Sequence, residues 1–166
     1  MTIASPATSP TWRPCVCPPR PLRCLADCLD AVDWAATTDG VFVERRNWPR
    51  VDVDELGNPH VCVVPGGIEA TRLGRRAQQH DCQVFVYVGR RTPDDALADE
   101  MLELAEEIVE TIEEHDWDTL APGVTWPAGT TSPQSVQIEI NPGEALQERN
   151  VWRAAITVTY RMPRSY

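Results

Sequence analysis

Apolar and polar positions along the chain change period several times, and each change marks an element. In "PLRCLADCLDAVDWAAT", which begins at Pro21, Leu22, Leu25, Leu29, Val32 and Ala36 recur at helical spacing on one face. Proline in the first turn suits a helix start, where its missing N–H would have no partner anyway. Gly40, closing "TTDG", is the expected helix stop. "VFVERR" (Val41–Arg46) alternates as a strand does. "NWPRVDVDELGNPH" holds a turn signal in "LGNP". "VCVVPGG" reads as a short strand closed by Pro65 and two glycines, and residues 68–81 read as a loop or short helix. "CQVFVYVGRR" (Cys82–Arg91) is the clearest strand, with Val84, Val86 and Val88 on one face and Phe85 and Tyr87 on the other. A strand apolar on both faces belongs in the middle of a sheet.

A second helix is expected within "TPDDALADEMLELAEEIVETIEEHDWD", Thr92 to Asp118. Thr92 is the expected N-cap, with Pro93 at the first helical position and Asp95 completing a variant capping box. Leu97, Met101, Leu104, Ala105, Ile108 and Ile112 form one apolar stripe. Opposite it lie Asp99, Glu100, Glu103, Glu106, Glu107, Glu110, Glu113 and Glu114, and the segment contains no Lys or Arg. One face is therefore core, and the other cannot be buried without cations. A long Pro-, Gly- and Thr-rich loop follows over residues 116–135. "VQIEI" (Val136–Ile140) and "VWRAAITVTYRM" (Val151–Met162) close the chain as strands, with "PRSY" a short tail. The element order predicts an α+β fold, a small mixed or antiparallel sheet packed against two amphipathic helices. One domain spans residues 21–166, preceded by a Pro/Cys-rich extended arm over residues 1–20 that is either a disordered end or an ordering arm.

Charge sharpens this picture. All fifteen basic residues are Arg. Residues 1–91 carry a net +1, residues 92–148 a net −15 and residues 149–166 a net +4, within a total of −10. Such a chain repels nucleic acid at long range, so specific DNA binding is not expected. No apolar run approaches the ~20 residues of a membrane span, and "MTIASPATSPTWRPC" lacks the apolar core of a secretory signal. A cytoplasmic protein is the default expectation.

Candidate chemistry is sparse. Cys15, Cys17, Cys24 and Cys28 form C-x-C-x6-C-x3-C, which leaves a thiolate metal site open as a reading. Structural zinc sites favour wider C-x2–4-C pairs, and Cys24 and Cys28 fall in the first helix, where Cys serves as a small apolar residue. The expectation is no metal and no cofactor. His60 and Cys62 point to the same side of a strand but lack further ligands in sequence. There is no nucleophile elbow, phosphate loop or zinc-protease motif. The carboxylates of a convex helix face diverge rather than converge on a cation. No enzyme is expected.

Taken in order, the opening helix, "VFVERR", "DVDELGNPHVCVVPGG", "QVFVYVGRR" with its acidic helix, and "INPGEALQERNVWRAAITVTYRM" resemble the tail terminator (tail completion) proteins of long-tailed bacteriophages. The resemblance spans about Leu22 to Met162 and rests on order and character rather than on any one motif. It implies a structural virion protein with no catalytic residues. Its copies would form a homohexameric ring that caps the finished tail tube, stops polymerisation and presents a joining surface to the head–tail connector protein. Tail tube protein would be its other neighbour, and DNA would pass through without specific binding. In such a ring Arg45, Arg46, Arg149 and Arg153 are the expected mates of Glu103, Glu106, Glu107 and Glu110 on an adjacent subunit. Another neck or tail component, or a cysteine-metal host adaptor module, are the alternative readings.

Overall fold

A computed structural model describes residues 20–34, 38–47, 53–74, 77–92, 94–114, 133–140 and 150–165. Helix α1 (Arg20–Asp30) is followed by strand β1 (Phe42–Arg45), a 3-10 turn (Val53–Gly57), β2 (His60–Arg72), β3 (Ala77–Arg91), helix α2 (Asp95–Glu114), β4 (Ser135–Ile140) and β5 (Val151–Ser165). The strands form one sheet in the order β1-β2-β3-β5-β4. β1 runs parallel to β2 and every other neighbouring pair is antiparallel, so the α+β expectation holds with a mixed sheet. β3 lies third of five, as its two apolar faces require.

Alternation sorts the strands into two faces. Val63, Val86 and Ile156 stand side by side across β2, β3 and β5, as do Val61, Val88 and Ala154. Onto this face α1 sets Leu25, Ala26 and Leu29, and α2 sets Met101, Leu104, Ala105, Ile108 and Ile112. α1 lies nearer β1 and β2, and α2 nearer β5 and β4. On the opposite face Phe85 and Tyr87 are half-buried with ring centroids 6.2 Å apart. Leu56 of the 3-10 turn is buried there, close to Gly89.

Three expectations about the strands need correction. "PGG" does not end β2, which continues to Arg72, and residues 68–81 belong largely to a β2–β3 hairpin rather than a loop or helix. The pairing slips between Pro65 and Ile68, which marks a bulge. Among the described residues β1 accompanies β2 only along His60–Val63, so Pro65 sits on an open edge there, where a missing N–H is tolerated. A Cβ at Gly66 would come 2.8 Å from both Cβ and the carbonyl oxygen of Gln83, so this close approach demands glycine. Likewise β5 runs through Pro163 to Ser165, because β4 covers only residues 154–159 of it. The result is a three-stranded ribbon of β2, β3 and β5 beyond the strand ends of β1 and β4.

The helix ends differ too. α1 stops at Asp30 rather than near Gly40. Its carbonyls tighten into short-range bonds, with the Ala31 N–H donating to Cys28 at 3.1 Å, and the buried Trp34 indole N–H donates to the Leu29 carbonyl at 3.0 Å. Gly40 instead supplies a positive φ of 71° in the turn before β1. For α2 the cap is Asp94, whose Oδ1 accepts from the Leu97 N–H at 2.9 Å. Thr92 is buried and donates its N–H to Asn150 at 2.7 Å, tying the end of β3 to the start of β5. The arm over residues 1–20 lies, apart from Arg20, outside the described residues, as does most of the loop over 116–135.

Candidate interaction surface

Helix α2 divides as its sequence requires. Leu104 and Ile108 are fully buried, whereas Glu103, Glu106 and Glu110 are exposed and Glu107 is half-buried. At 3.6 residues per turn, carboxylates interleaved with the apolar stripe must emerge on the far side. Arg90, from the end of β3, approaches this helix and donates to Glu100 at 3.3 Å. That contact joins positions ten apart across a strand-to-helix connection, and neither helical nor strand periodicity announces it.

Of the arginines expected as mates of the acidic helix, Arg45, Arg46 and Arg153 lie within the described residues and occupy different places on the sheet. Arg45 is exposed on β1 and shares its side with Val43, which packs against the core. Arg153 is exposed on the sheet face that turns away from both helices, since its neighbours Trp152 and Ala154 are the core residues. Neither forms an ion pair among the described residues. Arg46 is engaged within the chain, bonded to Glu44 and to Glu55, the latter at 3.0 Å. Arg149 lies outside the described residues. Between β1 and β4 stand four strand spacings, about 19 Å, so Arg45 lies far from an acidic helix that packs over β4.

Two polar clusters were not expected. Glu44 accepts from Arg46 and from Nε2 of buried His60 at 2.5 Å, which joins β1, β2 and the 3-10 turn through Glu55. Burial opposes ionisation of Glu44, but hydrogen bonds from Arg46 and His60 outweigh it and hold its pKa below the ordinary value. In the ribbon, Arg161 grips Asp81 with two bonds of 2.9 and 3.1 Å. Those bonds lower the Asp81 pKa against a smaller effect of burial. Glu44 and Arg46 share a side of β1 by alternation, whereas His60, Glu55 and the Asp81–Arg161 pair are brought together across strands and a turn, which the local sequence does not encode.

Cys62, on the same side of the sheet as Glu44 and His60, is fully buried, and burial followed by the Glu44 charge pushes its thiol up to about 11. Cys24 and Cys28 are buried in α1 beside Tyr160, whose phenol pKa is raised by burial and then by those thiols. Both are buried, and Cys15 and Cys17, the other members of the candidate thiolate set, lie outside the described residues. Among the described residues no three His, Cys, Asp or Glu side chains are grouped to hold a metal ion, and no helix is long and apolar enough to cross a membrane.

No known protein family matches the chain, and no curated protein matches it. The fold defines its class: an α+β protein whose mixed five-stranded sheet carries both helices on one face.

Proposed function

We propose that this chain is a structural component of a bacteriophage tail, a terminator whose copies close into a homohexameric ring on the finished tube. The observation that carries the reading is the separation of charge. The outer face of α2 presents carboxylates over β4, while Arg45 and Arg153 are exposed at the far edge and on the far face of the sheet. Within one subunit these groups do not meet. In a heterologous ring each subunit lays one surface on a different surface of its neighbour, so separated opposite charges become adjacent.

As a terminator the protein acts without catalysis. Its ring stops tube growth by offering the next tube subunit no continuation, and its outer side joins the head–tail connector protein. Tail tube protein polymerised with rising amounts of this chain tests the reading. Tubes should stop growing at lengths that shorten with dose, with the chain at one end. Tubes of unchanged length with no chain bound would refute it.

A further inference from the structure

We propose that the free edge of β4 pairs with the free edge of β1 on a second copy of this chain, so that the sheet continues from subunit to subunit. The inference rests on the assembly reading and names the contact that would make it. β1 and β4 are the two outer strands, and among the described residues neither has a partner on its outward side. On β1 the Phe42 N–H donates to Pro59 at 2.9 Å and the Arg46 N–H donates to Val63 at 3.0 Å. In a parallel pair alternate residues face the partner, so the N–H and C=O groups of Val43 and Arg45 point outward. Such an edge is a template for another strand.

Direction, side chains and charge agree on the mate. β1 runs with β2 and β5, and β4 runs against them, so continuing the sheet in the same orientation makes β4 and β1 an antiparallel pair. Ile138 and Ile140 of β4 are 39% and 41% exposed. Their register partners Ile156 and Ala154 are core residues, so both isoleucines stand on the helix side. Val43 and Arg45 occupy that same side of β1. Pairing would lay the arginine stem over the isoleucines and bring its guanidinium toward the acidic face of α2. Two β4 edges paired with each other would instead bring two acid-only helices together, which like-charge repulsion opposes. The contact is therefore head to tail, the kind that propagates until it closes.

Amide exchange and mutation test this together. Arg45→Pro deletes an outward N–H and leaves the inward bonds of Phe42 and Arg46, while Ile138→Lys with Ile140→Lys places cations on the other edge. Both variants should keep the wild-type circular dichroism and weaken self-association by roughly tenfold or more. In the wild type, exchange at Val43 and Arg45 should slow by on the order of tenfold on assembly, a readout independent of whether the variants fold. If the wild type assembles while these amides exchange unchanged and folded variants assemble equally well, edge pairing is wrong and the ring stands. A species of two chains held through β4 alone would also overturn it. A wild type that stays monomeric, alone and with tail tube protein, removes both the pairing and the ring.

Discussion

A side chain under α2 and a carboxylate on its outer side answer to mutation in opposite ways, because water has left one and still surrounds the other. Leu104 is fully buried in the cluster that joins both helices to the sheet. Leu104→Ala leaves a cavity there and should cost about 2–5 kcal/mol in urea unfolding. Glu103→Gln or Glu106→Gln should shift the isolated fold by less than about 1 kcal/mol, since exposed charges contribute little to stability. Glu44 and Asp81 carry a different signature. Both pKa values are lowered in the folded state. Their contribution is therefore present above the unfolded carboxylate range, about 4, and is lost as pH falls through the folded values. Urea midpoints measured between neutral and acidic pH should fall less steeply for Glu44→Gln with Asp81→Asn than for the wild type. Equal slopes would show that the two clusters do not couple folding to protons. Thiols supply a further check. With Cys15 and Cys17 replaced by Ser, buried Cys24, Cys28, Cys62 and Cys82 should react with a thiol reagent only as fast as the protein opens. Rapid labelling of the native protein would contradict their burial.

Elements were legible where periodicity was strong and local. The stripe of α2, the doubly apolar β3 and the alternation of β5 each follow from spacing alone, because burial on one or both faces leaves a repeating trace. Element ends were less legible, for reasons that lie outside the local sequence. Pro65 and Pro163 usually end strands, but here each lies where the neighbouring strand has already stopped. α1 ends at Asp30, and the buried indole of Trp34 turns back to donate to the Leu29 carbonyl. Asp94 took the cap from Thr92 because Thr92 is drawn inward by Asn150. The candidate surface was legible as composition, an acid-only helix and scattered arginines, but not as geometry. Alternation puts Arg46 on the side of Glu44, the fold brings Glu55 of the 3-10 turn to it, and Arg45, one residue earlier, stands on the opposite side of β1 with no ion pair among the described residues. The bulge yields the element-scale prediction. Gly66→Ala drives a Cβ into the Gln83 backbone, so it should destabilise the fold by about 1–3 kcal/mol. Gly74, with nothing within 4 Å of its Cβ position, should accept alanine with far less loss. Paired unfolding curves decide this, and equal losses at both sites would show that the ribbon register is wrong.

At the scale of the whole molecule, one sheet face carries both helices, both outer strands are open on their outward side among the described residues, and negative charge gathers over one of them. A head-to-tail ring of the kind proposed would bring each acidic edge to the arginine-bearing edge of its neighbour. Charge reversal follows the same logic. Arg45→Glu should weaken self-association, and adding Glu106→Arg should restore part of it if the two surfaces meet across subunits. The central claim is the ring, and the mass of the chain in solution tests it most directly. Sedimentation over rising concentration, alone and with tail tube protein, should reveal a species of six 18.5 kDa chains, about 111 kDa. A strict 18.5 kDa monomer under every condition would contradict the account.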